Sequence, residues 1–460
     1  MRKKNSVRAK VIATLEMVQL GHSLSGLLDE LLKAVAPEDK GFAHELTLGT
    51  LRQWWAICRI SESLVERDVS DKGVLAGINI GVYQLLYMST PDYASIFATV
   101  EALKELDKDY GVGLTNAILR KVAKTPAKFA KKINKNHSLS NHLARQLKQD
   151  WVNDYEALGQ ILRSSAPLFV RANTAKISHD DYKALLVADG VQHDEVSLNS
   201  TVLGVKQCLR AFRIVGTLVQ DLPRFADGFV AVQDIHAQLG VSLLDGLMKQ
   251  KIAKNPSNEP VQLLDACTAP AGKLTQWLAS LANVQQQFHV KPCYQLTAID
   301  NEQTRLTRVF ENLERLGFAE QLDKTLHVKI ADATTFSPDC PFDIIMLDAP
   351  CTATGVIRRH PDIALLRQET DIAGTVQLQA EILDNLWQTL AVDGYLLYIT
   401  CSILKVENET QITQFLARHA NAVDVPIEAD WGIAQAVGRQ CLPISDGGDG
   451  FYYALLKKVG

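Results

Sequence analysis

The chain reads as a multidomain protein, helical at the front and α/β behind. Three observations predict this. Apolar residues recur at helical spacing over most of the first third. From Val261 onward, apolar runs of strand length alternate with longer helical stretches, the pattern of a parallel sheet flanked by helices. A length of 460 residues is more than one ordinary core uses, so about three domains are expected. Their predicted ranges are 1–138, a helical bundle; 139–227, a small α/β insert; and 228–460, the main sheet.

Composition narrows the class. A hydrophobic content of 47% with 22% charged residues is ordinary for a soluble globular protein. The net charge of −4 gives no global attraction to nucleic acid, so any such binding must come from local basic patches. The cysteines at 58, 208, 267, 293, 340, 351, 401 and 441 are scattered, without a Cys-x-x-Cys pair. That argues for reduced thiols in a cytoplasmic protein and against structural zinc, so no metal is expected. There is no apolar run of membrane-spanning length, and Met1-Arg2-Lys3-Lys4-Asn5 is not followed by the apolar stretch of a secretory signal. A monomer without membrane partners is expected.

In the first range, Val11, Leu15 and Val18 share one helix face, as do Leu24, Leu27, Leu28, Leu31 and Leu32. Pro37 and Gly41 break the pattern, and Phe42–Ile57 resumes it. Val74–Met88, Ile96–Leu106 and Leu114–Val122 follow as further helices. Trp54 and Trp55 lie at helical spacing beside leucines and read as core rather than as a base-stacking pair. No catalytic constellation occurs here. Basic residues bracket the bundle: Arg2, Lys3, Lys4, Arg8 and Lys10 at the start; Arg120, Lys121, Lys124, Lys128, Lys131, Lys132 and Lys135 at the end. Such runs are either solvated faces or an RNA-facing patch. Two segments, Glu45-Leu-Thr-Leu-Gly-Thr-Leu-Arg52 and Gly113-Leu-Thr-Asn-Ala-Ile-Leu-Arg120, resemble the NusB-type RNA-binding domain.

Lys131–Asn141 is polar and basic and reads as a linker. Leu143–Leu162 reads as helix, Leu168–Asn173 as strand, and Ser178–Val187 as helix, with short β-like pieces near Val202–Leu203 and Val215–Val219. Arg171 and Asn173, at a strand end, could hold a phosphate or a base, or be a surface arginine and a turn asparagine.

The main sheet opens with Phe229–Asp234 and a helix from Ile235 to Leu247. Strand-like segments follow at Val261–Ala266, Gln295–Ile299, His327–Ile330, Phe342–Leu347 and Tyr395–Ile399. The first ends in Asp265-Ala-Cys267-Thr268-Ala269-Pro270-Ala271-Gly272-Lys273, small residues that let a ligand approach a helix N-terminus. The loop is neither a Walker loop nor a Gly-x-G-x-x-Gly fingerprint. Asp300 closes the next strand, where an acid suits ribose hydroxyls. Asp332 closes the third, where an acid can accept from an adenine amino group. Each acid alone could be a helix N-cap. Their order favours an adenosine-bearing cofactor and matches the Rossmann-like sheet of S-adenosylmethionine-dependent methyltransferases.

Asp348-Ala-Pro-Cys351 follows the fourth strand, where Pro350 ends ladder pairing, and Cys401-Ser402 follows the last. Two thiols at the carboxyl ends of two strands could meet over one substrate, or each could be a small buried residue. The Cys267–Lys273 loop, Asp348–Cys351 with Gly355 and Arg358–Asp362, Thr400-Cys401-Ser402 with Glu407-Asn408, and the closing Gly450–Ala454 together resemble the RNA 5-methylcytosine methyltransferases. With the NusB-like front, the resemblance is to the bacterial family that methylates a cytosine of small-subunit (16S) ribosomal RNA, and it covers nearly the whole chain. One departure is Ala271, where the family mostly has glycine.

The resemblance implies the following chemistry. Cytosine C5 is a poor nucleophile until a thiolate adds to C6, so catalysis is covalent. The Thr-Cys thiol, Cys401, attacks, and the Pro-Cys thiol, Cys351, helps resolve the adduct. Asp348 binds the cytosine edge, and Lys273 orients the site and could lower a nearby thiol's pKa. Cofactor contacts fall to Cys267, Thr268, Ala269, Pro270, Ala271, Gly272, Lys273, Asp300, Asp332 and Asp348. The target base must be unstacked, which favours single-stranded or loop RNA. Two rivals are a DNA cytosine-C5 methyltransferase attacking through Cys351, which would need neither Cys401 nor the helical front, and a non-catalytic RNA-binding ribosome assembly factor, which would not preserve the thiols and acids.

Overall fold

In the computed structural model, residues 5–66, 68–135, 137–253, 259–288 and 294–460 are described. Arg2, Lys3 and Lys4 of the first basic run, and Cys293, lie outside them. The chain forms two compact units: Met1–Ser165 with Val356–Glu369, and Ala166–Gly355 with Thr370–Gly460. Among the described residues, no helix is long and apolar enough to cross a membrane.

The first unit is helical. Its central helix, Lys72–Tyr87, is apolar nearly all round and correspondingly buried. Asp71 caps it by accepting from the Val74 N–H at 2.7 Å. Gly81 lets a neighbouring helix approach closely, because a Cβ there would lie 2.5 Å from a Leu119 methyl carbon. Trp54 is buried in this core, as its spacing predicted. Lys131–Asn141 is only partly a linker. Pro126–Asn134 is a helix that buries Phe129 and Ile133, two apolar residues four apart, and turns Lys128, Lys131 and Lys132 outward. Two apolar residues are too few to show a helical period in the sequence. The predicted helix Leu143–Leu162 is two, Asn141–Asp150 and Tyr155–Ile161.

Val356–Glu369 joins this unit although it lies between two strands of the main sheet in sequence. Trp55 Nε1 donates to the Ala364 carbonyl at 2.8 Å, Arg52 Nε to that of Arg358 at 3.0 Å, and the Leu24 N–H to Asp362 at 2.9 Å. Leu365 and Leu366 pack on the helical core. Arg358–Asp362, read in sequence as an extension of the Cys351 block, is therefore built into the helical unit.

The second unit holds two sheets. Its strands are β1 (Leu168–Ala172), β2 (His193–Val202), β3 (Val205–Ile214), β4 (Val230–Val232), β5 (Val261–Ala266), β6 (Tyr294–Asp300), β7 (Leu326–Ile330), β8 (Phe342–Asp348), β9 (Leu390–Thr400), β10 (Ala422–Val425), β11 (Ile427–Ala429), β12 (Ile433–Ala434), β13 (Arg439–Cys441) and β14 (Phe451–Lys458). The small sheet runs β11-β2-β3-β1-β4, antiparallel throughout. The boundary expected at residue 227 falls inside it. β2 and β3 form a long hairpin where the sequence suggested only short pieces. Its turn, Leu203-Gly204, has φ of +48° and +77°, the conformation that matches strand twist in a two-residue hairpin. Polar residues fill most of β2, which hid it.

The main sheet runs β12-β13-β14-β9-β8-β5-β6-β7, with β10 also on β14. β5 to β9 are parallel, and β14 is antiparallel to β9. β5, β8 and β9 are nearly continuous in apolar residues because helices cover both faces. Strand order reverses between β5 and β8, the switch point at which such sheets bind ligands.

Candidate active site

A cavity of about 480 Å³ opens at the carboxyl ends of β5 to β9. The residues Cys267, Ala269, Asp300, Asp332, Asp348, Cys351 and Cys401 line it, brought there from five strand ends. Thr268, Pro270, Ala271, Gly272 and Lys273 do not line this cavity; they shape the loop behind it.

After β5 the chain turns through Cys267, at φ +63°, and Ala271, at φ +78°. Thr268 donates through its hydroxyl to Asp265 at 2.7 Å and through its N–H to the Ile299 carbonyl at 3.0 Å. Pro270 accepts from the Asn312 amide at 2.9 Å. Helix Gly272–Phe288 then begins, and Arg171 donates to the Gly272 carbonyl and to the Thr275 hydroxyl. Arg171 is therefore a buried brace rather than a surface residue; burial lowers it to about 9. Asn173 is likewise buried, with its amide on the Gly228 and Leu316 carbonyls.

Ala271 stands in a backbone conformation that favours glycine, at φ +78°. A left-handed backbone crowds an L-residue's Cβ. Ala271→Gly should raise unfolding stability by about 1 kcal/mol, less the extra freedom glycine brings to the unfolded chain. Urea midpoints check this; a lower midpoint would show that the Ala271 methyl contributes more through packing than its backbone costs.

The acids differ in their surroundings. Asp300 is buried, and one oxygen accepts from the Ala269 N–H at 3.1 Å while the other lies 3.4 Å from Arg305. Its carboxylate thus braces the loop after β5 as well as facing the cavity. Asp332 is exposed and accepts from the Thr334 N–H at 2.9 Å and hydroxyl at 2.8 Å; these bonds, the backbone one first, hold it below the ordinary range. Asp265, which sequence reasoning passed over, lies buried under the loop, and desolvation pushes it up to about 7. Glu302 also lines the cavity, two residues beyond Asp300.

The chemistry-bearing end is compact. Cys351 and Cys401 place their sulfurs 3.4 Å apart. The bond to Cys401, and then burial, push the Cys351 thiol well above its ordinary value. Lys273 donates to Asp348 at 2.6 Å. Burial alone would lower Lys273, but Asp348 and the nearby Cys401 outweigh it and raise it. Cys267, the third thiol, is pushed to about 12 by burial and then by Asp348. The turn after Cys351 requires Gly355, because a Cβ there would lie 2.3 Å from the Gly450 carbonyl oxygen. Behind the thiols Glu407 is fully buried and accepts from Thr352 and Ser402. Burial raises its carboxyl, and those donors pull it part of the way back. Among the described residues, no cluster of three or more His, Cys, Asp or Glu could hold a metal.

Comparison with known proteins agrees with this architecture. Residues 251–457 match the family described as 16S rRNA methyltransferase RsmB/F, 5–124 the NusB family, and 139–209 a ferredoxin-like domain described as Methyltr_RsmF/B-like. The chain is 36% identical to the ribosomal RNA small subunit methyltransferase B of Pseudomonas putida, covering 95% of this chain and 94% of that one. It is 34% identical to the protein of the same name in Serratia proteamaculans, covering 99% and 100%. In fold it is similar to the crystal structure of PH0851, with TM-score 0.73 and 20% identity over 98% of this chain and 99% of that one. It is also similar to NSun6 from Pyrococcus horikoshii with SFG, with TM-score 0.52 and 19% identity over 70% and 98%.

Proposed function

From the premise that this chain belongs to the 16S rRNA methyltransferase RsmB/F family, we propose that it methylates C5 of a cytosine in 16S ribosomal RNA through a covalent Cys401–C6 adduct, as a cytoplasmic monomer. The observation that carries the reading is the 3.4 Å approach of two thiols beside Asp348, at a cavity that also presents Asp300 and Asp332. Small residues at a helix N-terminus, with acids on the next two strand ends, fit S-adenosylmethionine. Asp300 and Asp332 would hold its ribose and adenine. When bound, the cofactor supplies an electrophilic methyl group.

The chain's own residues do the rest. Cys401 adds to C6, which makes C5 nucleophilic. Cys351, with its sulfur 3.4 Å from that of Cys401, serves the later step. It then assists the loss of the C5 proton and the release of Cys401. Asp348, paired with Lys273, accepts from the cytosine edge and favours a proton at N3, which draws electrons from the ring. Incubation with labelled S-adenosylmethionine should label 16S ribosomal RNA and leave DNA unlabelled; label in DNA alone would overturn the reading.

The helical unit contributes RNA affinity through Lys121, Lys124 and Lys128, all exposed. Changing these three to glutamine in the full chain should weaken RNA binding at low salt and reduce the slope of log K against log salt by up to about 2. An unchanged slope would exclude them from the interface. Deleting residues 1–138 is the poorer test, because it uncovers Leu365 and Leu366.

A further inference from the structure

Two loops carry the thiols, and both cysteines are free. Cys351 lies on the loop after β8, and Cys401 is the residue immediately after β9. A sulfur pair at 3.4 Å therefore needs something to hold one loop against the other. β9 holds Cys401 directly, since Thr400 is still in register with Tyr452 of β14. The Cys351 loop is tied to β9 at its two ends, by the Ala349 N–H on the Ile399 carbonyl at 2.8 Å and the Gly355 N–H on the Cys401 carbonyl at 2.9 Å, which leaves the segment around Cys351 itself to be held.

We propose that Glu407 is the positioning residue that sets the separation of the two thiols and so permits the second half of the reaction. This rests on the two-thiol reading above. One carboxylate oxygen accepts from the Thr352 N–H at 2.7 Å, the residue next to Cys351. The other accepts from the Thr352 hydroxyl at 2.5 Å and from the Ser402 hydroxyl, the residue next to Cys401. Gln379 extends the brace, donating to the Pro350 carbonyl at 2.8 Å and to Glu407 at 3.4 Å. Tyr398 donates to the Glu407 carbonyl at 2.8 Å, so the clamp is itself anchored on β9. A single buried carboxylate thus bonds the neighbours of both cysteines. Glu407 does not line the cavity, so it acts through the thiols and touches neither RNA nor cofactor. A carboxylate suits this place because it accepts from several donors at once, whereas glutamine must point one end of its amide at a donor.

The test is Glu407→Gln, with circular dichroism to establish folding. Thiol proximity is read without RNA. Diamide takes one hydrogen from each thiol and is reduced to the hydrazine, leaving a Cys351–Cys401 disulfide that peptide mapping detects. Cross-linking in the variant should be at least tenfold slower than in the unchanged protein. With RNA and cofactor, kcat should fall while KM for S-adenosylmethionine stays the same, and the protein–RNA adduct should accumulate because Cys401 still attacks. A folded variant that cross-links at the unchanged rate overturns the proposal. Slow cross-linking with undiminished turnover upholds the positioning role and overturns the two-thiol mechanism instead. Thr352→Val, which removes the hydroxyl's bond to Glu407 and its 3.5 Å contact with the Ser402 hydroxyl but keeps the volume and the backbone bond, should shift cross-linking in the same direction by a smaller factor. It decides the matter if Glu407→Gln does not fold, and an unchanged rate there overturns the proposal.

Discussion

Cys401→Ala should abolish methyl transfer, by a factor on the order of 10⁴ or more, the scale on which loss of a covalent nucleophile is felt. It should also form no covalent complex, because nothing remains to add to C6. Cys351→Ala should fail differently. Attack and methylation still proceed, but release stalls, so with S-adenosylmethionine and target RNA it should accumulate a protein–RNA adduct that survives denaturing electrophoresis. The geometry makes this contrast sharp. The two sulfurs are 3.4 Å apart, so on the two-thiol reading they would meet the same base at different steps. Neutral packing cysteines would leave both variants active. If Cys401→Ala gave the adduct and Cys351→Ala did not, the roles would be exchanged, and attack through the Pro-Cys thiol, as in DNA methyltransferases, would be the better description.

Asp348→Ala should be the most destabilising single change at the site. It leaves the Lys273 ammonium, whose side chain is 11% exposed, without its partner at 2.6 Å. Breaking a buried pair from one side costs about 3–5 kcal/mol. Asp348 is itself 30% exposed, so screening places the expected loss at or below the lower end, about 2–3 kcal/mol. The pH dependence follows from Lys273. Its folded-state pKa is raised above the ordinary 10.5, so the pair's contribution is fully present below about 10.5 and is lost as pH rises through the folded value. Urea midpoints of the two proteins should therefore differ by a constant amount through neutral pH and converge above about 10.5. A gap that is absent at pH 7 would mean that Lys273 finds another partner. Asp348→Asn keeps the shape and removes the charge; it should cost activity by about 10²–10⁴, the range of a positioned proton-transfer group.

The strand ends were legible because burial on both faces leaves apolar runs that stop where function begins, at Ala266, Asp300, Asp348 and Thr400. Arg171 and Asn173 were left open between two readings for a related reason. A strand end marks a place where ligands bind, and equally a place where one sheet must be fastened to its neighbours. Only the positions of the Gly272, Gly228 and Leu316 carbonyls decide which. Glu407 stood in a recognised block, but its role could not be read from spacing, because its partners lie 55 and 5 residues away along the chain.

By itself the sequence determined the parallel sheet and the placement of the two thiols and three acids at its strand ends, since these follow from local periodicity and from residue type at element ends. It also carried the resemblance that named the chemistry. Tertiary structure alone decided the 3.4 Å thiol pair, the Lys273–Asp348 bond and the placement of Val356–Glu369 in the helical unit. Each joins residues tens to hundreds of positions apart. Such contacts are set by how strands stack and which loops their ends bring together, and no local pattern of side chains records that distance.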